Sequence, residues 1–253
     1  MTPLALQNDG GPLLQVRNLC ASIGATPVLQ DVSFSVWPKQ IVAMIGPNGA
    51  GKTTILKAVA GIIRPVHAEI VYNGVRIDAL DVADIVRMGV VYVPEGMSVF
   101  PEMSVLENLE VGGYLHRHRI DERLRLVFCL FPELEAKKRQ RAGALSGGEK
   151  RMVVLGRGLM AGARLLLLDD PFLGLSPKIV RRFCSAFQEL RKSGLTLLIA
   201  GQHVRRILRV AHVAYLIEDG SITLTGPGPE ILHHHHVIQI LFGDTRDSSQ
   251  SAP

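Results

Sequence analysis

The chain has 253 residues, 47% of them apolar and 20% charged, which fits a single globular domain at the upper end of the usual size range, with material for a sizeable core. No apolar stretch reaches the ~18 to 20 residues a bilayer-crossing helix needs, and Met1 to Asp9 has no basic region ahead of an apolar one, so a cytoplasmic location is expected. The net charge of +5 admits an anionic partner, but the densest basic run, Lys137 to Arg141, has no interleaved aromatics for bases to stack on; nucleic acid is excluded as an expected partner and the run reads as a solvated face, a contact to a partner or lipid headgroups being the lesser reading.

Val28 to Val36 alternates apolar Val32, Phe34 and Val36 with polar Asp31, Ser33 and Ser35, the pattern of a half-buried strand in a β-rich opening. The unbroken apolar run Ile41 to Ile45 predicts a strand covered on both faces. Directly behind it, Gly46-Pro47-Asn48-Gly49-Ala50-Gly51-Lys52-Thr53 is a complete G-x-x-x-x-G-K-[ST] loop, followed by Thr54 and a helix to about Ala60 with Gly61 as its C′ residue. Glycines at 46, 49 and 51 permit a tight turn in which successive N–H groups point at a nucleotide phosphate, and the helix adds its positive N-terminal end. Lys52 is then in reach of the β and γ oxygens, and the Thr53 hydroxyl is placed to ligate Mg²⁺.

Val90 to Val93 predicts a second sheet strand, leading into Pro94-Glu95-Gly96, and Ser104-Val105-Leu106-Glu107 offers a capping box for a new helix. From roughly 97 to 160 the pattern is helical, with Leu124, Val127, Phe128 and Phe131 forming a packed amphipathic face. Within it, Ser146-x-x-Glu149 is a second capping box, so Ser146, Gly147 and Gly148 offer another anion-binding N-terminus. Leu165 to Leu168 and Leu195 to Ala200 read as buried parallel strands. They flank a helix with Ser176 as N-cap, Pro177 at N1, core positions Ile179, Phe183, Phe187 and Leu190, and Gly194 past its end. This alternation predicts an α/β core with a mostly parallel sheet, interrupted by an inserted helical subdomain at about 97–160. The strand at 165–168 runs into Asp169-Asp170-Pro171. Asp169 emerges at a carboxyl strand end, where it can hold Mg²⁺, and Asp170 is the nearest candidate to orient or deprotonate an attacking water. Cys20, Cys129 and Cys184 lie in none of the paired spacings of a metal site and read as reduced structural thiols.

Leu145-Ser146-Gly147-Gly148-Glu149, together with the phosphate loop, resembles the signature of ATP-binding cassette proteins, and the resemblance covers about residues 14–243. It is nearest to ATPase subunits of branched-chain amino-acid importers on Val93-Pro94-Glu95-Gly96, Gln140-Arg141-Ala142-Gly143, Arg157-Gly158-Leu159-Met160 and Leu173-Gly174-Leu175-Ser176-Pro177. The resemblance implies a P-loop NTPase (RecA-like) core with a mostly parallel sheet, an antiparallel β-rich N-terminal part and the inserted α-helical subdomain. It further implies that Ser146, Gly147 and Gly148 face the γ-phosphate of a second cassette, and that Gly174 to Ser176 reach across the dimer. Glu95 takes the place of a Gln that senses Mg²⁺ and couples to the membrane subunits. Gln202 falls where such proteins generally carry a γ-phosphate-sensing His, with His203 one place late.

Three positions depart from that family pattern. Asp170 stands where the family has a catalytic Glu, one methylene longer. The carboxylate withdraws by about 1 to 1.5 Å, and a misplacement near 1 Å can cost on the order of 10²-fold in rate. Ile23 replaces an aromatic that stacks on adenine, a loss of ~1 to 3 kcal/mol by analogy with base stacking, partly recovered by the apolar side chain. Phe172 replaces a small hydroxyl residue and reads as packing.

The run His233 to His236 sits on an expected helix, where four consecutive side chains point four ways and no four-His metal site forms. Residues 1–11 and 244–253 are expected as disordered tails around a cassette domain at 12–243. The expectation from the resemblance is an ATP- and Mg²⁺-dependent subunit at the cytoplasmic face of the plasma (inner) membrane. It would work with a second cassette, as homodimer or heterodimer, with permease subunits and indirectly with a solute-binding protein, to import branched-chain amino acids or a similar small solute. A catalytically weakened, regulatory subunit that completes its partner's site is the alternative. A non-transport cassette of nucleic-acid metabolism is disfavoured, because such proteins usually carry extra modules or paired cassettes.

Overall fold

A computed structural model describes residues 10–96 and 98–242; the expected tails lie outside these residues except for Gly10 and Gly11. The chain opens with strands β1 (Leu14–Ile23), β2 (Thr26–Val36) and β3 (Ile41–Ile45), helix α1 (Lys52–Val59), strands β4 (His67–Tyr72) and β5 (Val75–Arg76), helix α2 (Val82–Arg87) and strand β6 (Val90–Val93). A helical stretch follows with α3 (Val105–Gly112), α4 (Ile120–Leu130), α5 (Pro132–Ala136) and α6 (Gly147–Met160). The chain then alternates β7 (Leu165–Asp169), α7 (Pro177–Lys192), β8 (Thr196–Ala200), α8 (Val204–Val210), β9 (Val213–Glu218), β10 (Ser221–Gly226), α9 (Gly228–Leu232) and α10 (His235–Phe242).

Two sheets result. The larger has the order β10-β9-β3-β8-β7-β6, parallel throughout except for the antiparallel edge strand β10. The smaller is antiparallel, β2-β1-β4-β5, and contains the alternating strand expected at 28–36, with Val32, Phe34 and Val36 all buried. The unmixed apolar strands are explained by where their alternate residues go. Ile41, Ala43 and Ile45, with Leu166, Leu168, Leu197 and Ile199, enter one core; Val42 and Met44, with Leu165, Leu167 and Leu198, enter a second core on the other face. Each fully buried Leu or Ile contributes about 1.5 to 3 kcal/mol relative to exposure, so both faces demand apolar residues.

The stretch expected to be helical starts only at Val105, residues 98–104 being turns and irregular chain, and it is not continuous: two 3-10 segments, Tyr114–Arg119 and Ala142–Ala144, and the turn at 137–141 interrupt it. Val127 and Phe131 are fully buried as expected, with Leu124 and Phe128 half-buried beside them, and Phe131 packs on Phe183 of α7 at 5.6 Å between ring centroids. In α7 the expected core position Ile179 is only partly buried and Val180 takes its place, because the helix turns its Val180-Phe183-Phe187-Leu190 stripe inward. The polar run is also not wholly solvated. Lys137 is half-buried in an ion pair with Glu149 at 2.6 Å. The three cysteines are free. Among the described residues no helix is long and apolar enough to cross a membrane.

Candidate active site

Parallel registry brings the carboxyl ends of three strands level. Ala200 of β8 pairs with Met44 of β3 on one side and Asp169 of β7 on the other, so the loops after Ile45, Asp169 and Ala200 leave the sheet at one edge, where open α/β sheets bind ligands. The turn after β3 is possible only with glycine at two places. A Cβ on Gly46, at φ +152°, would lie 2.0 Å from the Ile217 carbonyl oxygen. Gly51, at φ +102°, is the N-cap of α1 and supplies no side-chain cap, so no side chain competes for the first-turn N–H groups of the helix.

Many of the residues that sequence reasoning assigned to nucleotide binding line one cavity of about 360 Å³. Asn48, Gly49, Gly51, Lys52, Thr53 and Thr54 come from the loop, Glu95 from the segment after β6, Asp169 and Asp170 from the end of β7, Gln202 from the turn after β8, and Ile23 and Val28 from the antiparallel sheet. Gly46, Pro47 and Ala50 belong to the same loop but do not line the cavity. The Gly46 and Pro47 carbonyls instead accept hydrogen bonds from Lys52 Nζ at 2.8 and 2.7 Å, folding the ammonium back over its own loop. Burial pulls the Lys52 pKa below its usual value, opposed by the negative charges of Asp170 and Asp169.

Asp169 is 5% exposed and held through both oxygens: Thr53 Oγ1 donates to Oδ1 at 2.9 Å and the Tyr92 phenol donates to Oδ2 at 2.8 Å. Burial, then the Asp169 charge, raises the Tyr92 pKa far above its ordinary value, which keeps it a donor. A carboxylate and a hydroxyl in contact at the cavity wall are hard oxygen donors of the kind Mg²⁺ takes when phosphates and water complete its shell.

Asp170 is also 5% exposed and adopts φ +40°, a left-handed conformation that Asp tolerates better than most residues. Burial raises its pKa, against the Gln202 N–H and the adjacent His203 ring, and Glu95 and Asp169 push the same way as burial. Oδ1 of Asp170 stands 3.9 Å from Nδ1 of His203. The expected γ-phosphate residue Gln202 lines the cavity; His203 sits against Asp170 instead.

Ser146, Gly147 and Gly148 do not line this cavity. Ser146 caps α6 in a complete capping box: its N–H donates to Glu149 Oε2 at 3.0 Å and its hydroxyl accepts from Glu149 N–H at 3.4 Å. The box thus closes on itself at a separate surface.

Sequence reasoning missed two residues. One is Tyr92, which the mainly apolar run Val90 to Val93 placed simply in a strand. The other is Arg151, 2% exposed, whose guanidinium donates to the carbonyls of Pro94 and Pro171, each at 3.3 Å, and to those of Gly96 and Asp170. Arg151 thereby ties the Ser146 helix to the loops that carry Glu95 and Asp170. A signal existed: Arg151 and buried Leu155 are four apart on α6, so a charged residue occupied an apolar stripe. The four histidines, by contrast, do not lie on one helix. They straddle the joint between α9 and α10, His236 pairs with Glu218 at 3.0 Å, and no group of three metal-ligating side chains forms among the described residues.

A family model described as ABC transporter matches residues 29–173. The high-affinity branched-chain amino acid transport ATP-binding protein BraG of Pseudomonas aeruginosa is 37% identical over 232 residues, covering 91% of this chain and 100% of BraG. The lipopolysaccharide export system ATP-binding protein LptB of Acidithiobacillus ferridurans is 34% identical over 239 residues, covering 92% of this chain and 97% of LptB. In fold, the chain is similar to an ATP-binding cassette of an ABC transporter solved in its ADP conformation, with TM-score 0.84 at 24% identity, over 92% of this chain and 100% of that one.

Proposed function

The chain belongs to the ABC transporter family as an ATP-hydrolysing subunit that uses ATP with Mg²⁺, and from that membership we propose that it energises an importer of branched-chain amino acids or a similar small solute. The observation that carries the solute class is the end-to-end likeness to BraG. Lipopolysaccharide export is the second reading, since LptB matches over a slightly greater length at only slightly lower identity. In the proposed assembly the subunit sits at the cytoplasmic face of the inner membrane under permease subunits, paired with a second cassette, and a separate solute-binding protein delivers the cargo.

Within the site, Lys52 exchanges its bonds to the Gly46 and Pro47 carbonyls for the β and γ oxygens of ATP, an exchange of neutral for charged acceptors. Thr53 and Asp169 would hold Mg²⁺, which neutralises charge on the β and γ phosphates, and Tyr92 keeps the Asp169 carboxylate oriented. Glu95 and Gln202 flank the γ-phosphate end of the cavity, and Ile23 with Val28 receives the base. Asp170 orients a water and takes its proton as the water oxygen bonds to the γ-phosphorus and the bond to the β,γ-bridging oxygen breaks, releasing ADP and phosphate. Ser146, Gly147 and Gly148 serve the partner's nucleotide, and closure of the two cassettes moves the helical subdomain against the permease.

The test is transport by proteoliposomes containing this chain with its permease, partner cassette and solute-binding protein. Leucine, isoleucine or valine should accumulate only with Mg-ATP, and Lys52→Ala should abolish ATP binding by calorimetry. ATP-driven lipopolysaccharide release without amino-acid uptake would replace the import reading with the export one.

A further inference from the structure

Two buried polar atoms beside the cavity face each other without partners. Oδ1 of Asp170 and Nδ1 of His203 are both sealed from solvent, neither makes a hydrogen bond among the described residues, and they are 3.9 Å apart. Buried polar atoms are nearly always paired, so two such orphans in mutual view need an explanation. Neither residue is loosely held. The Asp170 N–H donates to the Ala200 carbonyl at 2.8 Å and its own carbonyl accepts from Arg151. His203 is the N-cap of α8, and its carbonyl accepts from the N–H groups of Arg206 and Ile207 at 2.9 and 3.1 Å. The His203 ring stands edge-on to Phe172, at 6.2 Å between centroids and an interplanar angle of 87°. Phe172 is fully buried and stacks in turn on Phe187 of α7 at 5.8 Å. The aromatic that departs from the family pattern at 172 is thus the seat of His203, one place after the position of the expected γ-phosphate sensor.

We propose that His203 is a positioning residue for Asp170: its Nδ1–H closes onto Asp170 Oδ1 when nucleotide fills the cavity, and fixes the orientation of the short carboxylate toward the attacking water. This rests on the assignment of Asp170 as the water-orienting base. The present gap exceeds a hydrogen bond by under about 1.2 Å, which a side-chain rotation can close, and catalytic hydrogen bonds are often long before the ligand arrives. The neutral Nδ1–H tautomer is a donor of the required kind. Gln202 cannot do the same work from its place, because it lines the cavity itself rather than standing behind Asp170.

Single-turnover hydrolysis by the assembled transporter, with the partner's own site silenced, provides the test. His203→Ala should lower kcat about 10- to 100-fold, the cost of a misplaced reacting group, while the KM for ATP and Mg-ATP affinity stay unchanged. His203→Asn, whose amide N–H stands near the place of Nδ1, should recover most of the loss. In an Asp170→Ala background, His203→Ala should cost nothing further, because the two act as one unit. An unchanged kcat in His203→Ala, an Asn variant as slow as the Ala variant, a parallel rise in KM, or additive losses would each overturn the inference. If wild type itself showed no turnover, the hydrolytic role of Asp170 would fall first and the inference with it; normal turnover indifferent to His203 would remove the inference alone.

Discussion

Replacing Asp170 by glutamate restores the methylene by which this carboxylate falls short of the family's base. The Asp170 backbone is pinned between Ala200 and Arg151, and its strand is buried through Leu165 to Leu168, so the backbone does not move to compensate. The side chain has room to lengthen, because it borders a cavity of about 360 Å³. A carboxylate advanced by about 1 Å should gain roughly 10- to 100-fold in the hydrolytic step, which is ~1.4 to 2.7 kcal/mol of barrier. Stability should move the other way. Asp170 sits at φ +40°, where Asp is tolerated and Glu is not favoured, so the variant should lose about 1 kcal/mol, or ~2 to 4 °C in Tm for a domain of this size. Single-turnover rates in the assembled complex, beside thermal unfolding of the isolated subunit, measure both. Asp170→Asn should reduce whatever activity remains. An Asp170→Glu rate equal to or below wild type would refute the shortened-base argument and favour the regulatory reading, in which this site has given up hydrolysis.

Ser146→Arg should abolish turnover at the partner's nucleotide while leaving ATP affinity of the isolated chain unchanged, since Ser146 does not line its own cavity; calorimetry showing lost binding in the monomer would contradict the composite site. Ile23→Tyr should tighten ATP binding by about 1 to 3 kcal/mol through base stacking, and comparable ATP and GTP affinities are expected in the wild type, both read by competition titration. Arg151→Met removes the donor to four carbonyls and should destabilise the fold in urea unfolding by roughly 1 to 3 kcal/mol for each carbonyl left buried without a donor, with a total loss below about 1 kcal/mol counting against its bridging role. For Glu149, burial raises the pKa but Lys137 and the Ser146 N–H outweigh it, so the net shift is downward. Its stabilisation is therefore present above the ordinary glutamate pKa and lost as pH falls through the lowered one. Glu149→Gln should cost about 0.5 to 1 kcal/mol at pH 7 and nothing once the medium is acidic enough to protonate Glu149 in both states, as followed by unfolding across pH.

Local sequence was sufficient wherever one short segment carries the whole physical requirement. The phosphate loop is legible because Gly46 and Gly51 must adopt backbone angles and approaches closed to other residues, whatever surrounds them. The capping boxes at Ser104 and Ser146 are legible because donor and acceptor lie three residues apart, and the strands Ile41–Ile45 and Leu165–Asp169 because burial on both faces leaves no polar position until the chain exits at Asp169. Tertiary structure decided everything that joins such segments. Helical spacing allows either Ile179 or Val180 to face inward, and only the packing of α7 on the sheet selects Val180. Strand order, with β8 lodged between β3 and β7, levels three loops at one edge and so brings Thr53 and Tyr92 onto Asp169 and His203 onto Asp170. Those contacts join residues remote in sequence, and no local pattern encodes them because the energy that makes them belongs to the packed sheet rather than to either segment.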